Sequence, residues 1–165
     1  LYYVKDRSLL VKNIRKSKIS SLLSGGAGGF TSQKFISTAG ASADYLVTAT
    51  LWSPCLQYPG TKEYYDHYAN QYDSPPDYHG AEAYSALLVA ADALKRADSH
   101  SPAGIRKALD EADLKTPFGP VKFTSYENFE RQNSLPTQVL QIINGKFECI
   151  WPREHATADF ALPLK

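Results

Sequence analysis

Apolar runs and amphipathic stretches alternate through the first fifty residues. The segment 1–4 is apolar and β-prone. Asp6 is placed as an N-cap for a helix over 7–16, with Leu10, Val11 and Ile14 as its apolar stripe. Arg7, Lys12, Arg15 and Lys16 fall on the opposite face and read as solvated charges. Residues 19–24 read as a short strand running into a turn, Gly25-Gly26-Ala27-Gly28-Gly29. A second short helix is expected over 31–38, with Phe35 and Ile36 inward and Gly40 as its stop. The run 44–51 has the texture of a buried strand. Strand, helix, strand, helix, strand is the order of a parallel α/β layer.

After Leu51 the pattern changes. Ser53-Pro54 and Tyr58-Pro59-Gly60 mark a connection. A helix is predicted over 61–72, where Tyr64, Tyr68 and Tyr72 recur at i, i+4 and i+8 as a packed face. Ser74-Pro75-Pro76-Asp77 breaks it. The longest helix spans 78–97, rich in Ala and Leu, with Lys95 and Arg96 near its negative end. Another runs over 101–111, capped by Ser101 with Pro102 in its first turn. A strand is expected over 118–123. Strands 137–143 and 146–151 flank Asn144-Gly145, a strong hairpin signal. The tail after Pro152 reads as irregular.

Composition narrows the function classes. The 165 residues fit one ordinary domain or two small lobes. With 43% apolar and 21% charged residues, intrinsic disorder is excluded. No apolar run approaches the roughly 20 residues of a membrane span. Eighteen basic against 17 acidic residues leave a net charge of +1, which argues against nucleic-acid or anionic-membrane binding. The chain lacks methionine even at position 1, and it reads as an internal or C-terminal piece of a longer precursor.

Candidate chemistry is sparse. A G-x-G-x-x-G motif begun at Gly26 needs glycine where the chain has Thr31, and no GK[ST] follows. His67, His79, His100 and His155 show no metal-ligand spacing. Cys55 and Cys149 form no C-x-x-C pair, and Cys55 carries no nucleophile signature. No enzyme activity, metal or cofactor is therefore expected.

The ordered words DRSLLVKNIRKSKI, SGGAGGFTSQKFISTAG, ADYLVTATLW, PDYHGAEAYSALLVAADALKRA, SPAGIRKALDEA, TPFGPVKF and QVLQIINGKFECIWP span essentially the whole chain. Together they resemble the C-terminal half of a type I periplasmic binding protein of the branched-chain amino acid class. The resemblance implies an α/β fold of two Rossmann-like lobes, only partly present here. Residues 1–50 would belong to the second lobe and 51–118 to the first, while 119–165 would cross back to the second. The opening half of each lobe, the missing N-terminal half of the same protein, would be the first partner.

The family captures solutes by closing its lobes. The resemblance thus implies a periplasmic or bacterial cell-surface protein that delivers a small molecule to the membrane permease of an ABC transporter. A ligand-sensing module of the same fold is the alternative. Family contact positions fall on Tyr3, on the turn at Gly26 and Ala27, and on His79 with Tyr78 beside it. Amino-acid binders carry an acidic residue where this chain has Ala27. A small organic acid, preferably aromatic, is therefore expected over an α-amino acid. In an exported protein Cys55 and Cys149 could pair, a point that sequence leaves open.

Overall fold

The computed structural model describes residues 3–26 and 28–162. In chain order it contains helix α1 (Tyr3–Lys16), strand β1 (Ser24–Gly26), helix α2 (Gln33–Ala39) and strand β2 (Val47–Thr50). Helices α3 (Thr61–Tyr72), α4 (Tyr78–Arg96) and α5 (Pro102–Asp110) follow. Strands β3 (Asp113–Thr116), β4 (Gly119–Lys122), β5 (Thr124–Tyr126), β6 (Phe129–Gln132), β7 (Gln138–Ile143) and β8 (Lys146–Trp151) complete it. The chain forms two compact units. One comprises residues 1–55 and 137–165, the other residues 56–136.

In the first unit a four-stranded sheet runs in the order β1-β2-β7-β8. β1 lies parallel to β2 with Ser24 opposite Val47, whereas β7 is antiparallel to both β2 and β8. The parallel β1–β2 pair with its helices makes this an α/β layer, and the last two strands form an antiparallel hairpin on it. Asn144 and Gly145 both have positive φ, 51° and 73°, which is what a tight two-residue hairpin turn requires. The core joins Val11 of α1, Phe35 and Ile36 of α2, Leu46 and Ile142. α2 is held at its start by Ser32, whose Oγ accepts from the Phe35 N–H at 3.3 Å, and it ends at Gly40 with φ 60°.

Several sequence expectations are corrected here. No strand occupies 3–4: Tyr3 and Val4 open α1, while Leu1 and Tyr2 lie outside the described residues. The strand expected over 19–24 contracts to Ser24–Gly26, and Ile19 and Leu22 are exposed. On α1 the inward face is Val4, Ser8 and Val11; Leu10 is 55% exposed where Val11 is 2%. Ser8 is tolerated inside because its hydroxyl donates to the Val4 carbonyl at 2.7 Å. Two of the supposedly solvated cations are packed. Arg15 donates to the carbonyls of Ser42 and Asp44, and Arg7 reaches the glycine-rich turn. A guanidinium carries several donors on a long apolar stem, so it can serve backbone carbonyls from a helix face that looks exposed in sequence.

The second unit places α3, α4 and α5 with two hairpins, β3–β4 and β5–β6. Sequence reading expected one strand over 118–123 and a return to the other region from 119; the structure keeps both hairpins in this unit and returns at Thr137. Every residue of β5 and β6 is exposed, so no buried face marked these strands in the sequence. Buried hydroxyls tie the 116–119 turn to the helices: Thr61 donates to the Pro117 carbonyl at 3.0 Å, and Ser85 accepts from the Phe118 N–H at 3.1 Å. Helix α4 buries Ala81, Ser85 and Ala93 and leaves Ala83, Leu87, Ala90 and Leu94 exposed as an apolar stripe. No helix among the described residues is long and apolar enough to cross a membrane.

The first core predicts a sharp contrast. Phe35→Ala should lower unfolding stability by about 3–5 kcal/mol, whereas Leu10→Ala should change it by no more than about 0.5 kcal/mol. Urea titrations of both variants against the parent check this. Equal losses would place Leu10 in the core after all.

Candidate functional site

Each unit carries one candidate surface. In the first, the sheet edge at β1 leads into the glycine-rich turn. Phe30 folds back beneath the turn and meets Phe35 edge to face, ring centroids 5.1 Å apart. A Cβ on Gly25 would come within 2.5 Å of the Phe30 ring, so this position must be glycine for the ring to fit. Arg7 lies over the other part of the assembly, its guanidinium carbon 4.7 Å from the Phe30 centroid. Its Nη1 donates to the Gly28 carbonyl at 2.5 Å. The turn is thus clamped from α1. Gly26, by contrast, faces open space: a Cβ there would meet nothing within 4 Å. Its backbone is bare and approachable.

In the second unit the start of α4 follows the Pro75-Pro76 break. Asp77 caps the helix, its Oδ1 accepting from the Gly80 N–H at 3.1 Å. Tyr78 and His79 stack with centroids 3.9 Å apart, and His79 Nδ1 lies 3.8 Å from Asp77 Oδ2. Nearby, a groove of about 600 Å³ is walled by Tyr64, Tyr68, Tyr72 and Tyr84, with Glu63 and His67 at its side. Tyr64 lies 5.9 Å from Tyr68 and 5.0 Å from Tyr84, centroid to centroid. Gly80 lets this cluster approach α4, since a Cβ there would fall 2.8 Å from the Tyr64 hydroxyl. Burial, reinforced by Tyr68 and Asp77, pushes the Tyr64 phenol up to about 12. The Tyr64 phenol therefore stays protonated across the physiological range.

The residues singled out from sequence are distributed as follows. Tyr3 opens α1, and its side chain lies outside the described residues, as does Ala27. Gly26 closes β1 in the first unit, and Tyr78 and His79 lie together in the first turn of α4 in the second. Tyr78 and His79 do not line the tyrosine groove, although Gly80 does. Sequence reasoning missed Arg7, which it assigned to a solvated face; only the fold brings residues 7 and 28 together. Tyr84 was also missed, because it joins the stripe of α3 from another helix. Among the described residues, no three His, Cys, Asp or Glu side chains are grouped to hold a metal ion.

The family model described as periplasmic binding protein matches residues 4–146. A leucine binding protein from Thermotoga maritima superposes with TM-score 0.74 at 21% identity, over 90% of this chain and 41% of that one. A branched-chain amino acid transporter substrate binding protein from Streptococcus pneumoniae, solved with isoleucine, gives TM-score 0.73 at 23% identity, covering 90% and 41%. An ABC transporter substrate-binding protein from Desulfitobacterium hafniense, in complex with Leu, gives 0.66 at 18% identity, covering 87% and 39%. This chain thus spans less than half the length of these structures.

Two tests follow from the site geometry. Gly25→Ala should cost about 1–3 kcal/mol through overpacking against Phe30, while Gly26→Ala should be tolerated within about 0.5 kcal/mol. Urea titration of both variants reads the difference, and equal costs would disprove the clamp. For Tyr64 the folded-state pKa lies above the ordinary value of 10.0, so its contribution is complete below pH 10 and drains between there and about 12. Stability measured between pH 9 and 11 should fall less steeply in Tyr64→Phe than in the parent.

Proposed function

The chain belongs to the periplasmic binding protein family, and on that premise we propose that it is the solute-binding component of an ABC-type uptake system working outside the cytoplasm. Family membership over residues 4–146 is the observation that carries this reading. In it the protein does no chemistry on its ligand. The work is recognition, with a conformational change read by a membrane permease. Residues 56–136 would belong to the first lobe and the remainder to the second. The apolar stripe Ala83, Leu87, Ala90 and Leu94 on α4 supports a further packing partner, which in this reading is the first half of that lobe.

The proposed ligand is a small organic acid, an aromatic one favoured. The turn over residues 24–30 reads Ser-Gly-Gly-Ala-Gly-Gly-Phe and contains no carboxylate. An α-ammonium group desolvated against it would lack its partner, at a cost of several kcal/mol, roughly. Tyr78 and His79 offer adjacent ring faces to a planar acid, and an imidazole N–H can donate to its carboxylate. Tyr3, Gly26, Ala27, Tyr78 and His79 are the contacts proposed. An amino acid is the second reading, favoured by the isoleucine and Leu in two of the similar structures.

Titration calorimetry on the polypeptide with both lobes complete separates these ligands. Benzoate-type acids should bind and leucine should not. Ala27→Glu should weaken binding of the acid by about 1–3 kcal/mol through repulsion and desolvation. Tight binding of leucine or isoleucine would overturn the organic-acid reading and leave the uptake reading standing.

A further inference from the structure

The two cysteines lie 94 positions apart in sequence yet meet at one point of the first unit. Cys55 is the last residue of that unit before the chain departs, and Cys149 lies on β8, opposite Leu140 of β7. Gln138, the first residue of β7, brings them together. Its Nε2 lies 3.3 Å from Cys55 Sγ and 3.9 Å from Cys149 Sγ, so both sulfurs converge on one nitrogen. Gln138 is buried, and its Oε1 has no hydrogen-bond partner among the described residues. Ser53 Oγ is 2.7 Å from the Cys55 sulfur, and Cys149 donates to the Trp151 carbonyl at 3.3 Å.

We propose that Cys55 and Cys149 are a disulfide-forming pair that fastens the outgoing chain to β8, beside the strand on which the chain returns. The proposed export of the protein bears on where an oxidant is met, not on whether the two sulfurs can join. The oxidant is a disulfide, small or proteinaceous, acting by thiol–disulfide exchange. Cys55, the half-exposed partner, attacks first: the S–S bond of the oxidant breaks, a mixed disulfide forms on Cys55, and the departing sulfur takes up the Cys55 proton. Cys149 then attacks Cys55 Sγ, expelling the second thiol, which carries away the Cys149 proton. Two protein thiols are oxidised and one disulfide is reduced to two thiols. Gln138 Nε2 and Ser53 Oγ face the Cys55 sulfur and can donate to it as negative charge gathers there. Burial, and next the adjacent Cys55, pushes the Cys149 thiol up to about 12, which fits its place as the second attacker.

The bond would close the loop containing the whole second unit, where cross-linking constrains the unfolded chain most. The test uses the purified chain, treated with oxidised glutathione or with dithiothreitol and mapped with trypsin. Peptides 35–62 and 147–153 should appear joined after oxidation and separate after reduction. The oxidised protein should melt at least about 4 °C higher. In Cys149→Ser the reaction should stop at a glutathione adduct on Cys55. In Cys55→Ser the buried Cys149 should react at least about tenfold more slowly than Cys55 does. Persistence of both thiols, or stable separate glutathione adducts on the parent chain, would overturn the proposal. That map involves no solute, so its failure leaves the calorimetric test of the uptake reading untouched.

Discussion

Strand β2 finds its antiparallel neighbour β7 only after the chain has left the first unit and returned, and everything else in that unit depends on this pairing. The backbone contacts are direct: the Tyr45 N–H donates to Ile142 at 2.7 Å and the Ile142 N–H to Leu46 at 3.0 Å. Closure of so long a loop costs only slightly more than closure of a shorter one, because the entropy grows with the logarithm of length. In return β7 delivers Ile142 into the core beside Leu46 and Phe35. It also positions Gln138 beside both thiols. Gln141 on the same strand bonds both the Tyr45 carbonyl and the backbone of Ala161, pinning the tail back across the sheet.

The candidate surfaces share one design. Neither presents a cluster of charges. Gly26 offers bare backbone, which Arg7 and Phe30 keep in place from behind. The second unit offers aromatic faces, with Gly80 small enough to let Tyr64 reach the first turn of α4. Surfaces of backbone amides and aromatic rings can recognise a ligand by shape and by hydrogen bonding. They gain selectivity from shape and from which polar groups a ligand leaves unpaired, as the proposed solute-binding role requires.

How much of this was legible in the chain varies element by element. Helix α3 begins and ends where its tyrosine periodicity said it would, and α5 starts at the cap read from Ser101. Helix α4 begins directly after the Ser74–Asp77 break, with Asp77 as a cap that the sequence reading places only within that break. The Asn144-Gly145 hairpin stands as read. Phe35 and Ile36 are buried as expected. The ordered words along the chain were enough to identify the family, although no single motif was.

What sequence alone determined was therefore local: helix periodicity, caps, turn chemistry and the α/β class, each set by contacts within a few residues. Tertiary structure decided the rest. It chose Val11 over Leu10 for the core, because the helix is rotated by what packs against it from α2 rather than by its own composition. It converted Arg7 from a surface charge into the clamp of the glycine turn, since a guanidinium shows no local sign of the distant carbonyl it will meet. It paired the exposed strands β5 and β6, which carry no alternating apolar face to announce them. And it brought Cys55 to Cys149, a meeting that depends on the register of β7 against β2 and β8, which no local pattern in either segment encodes.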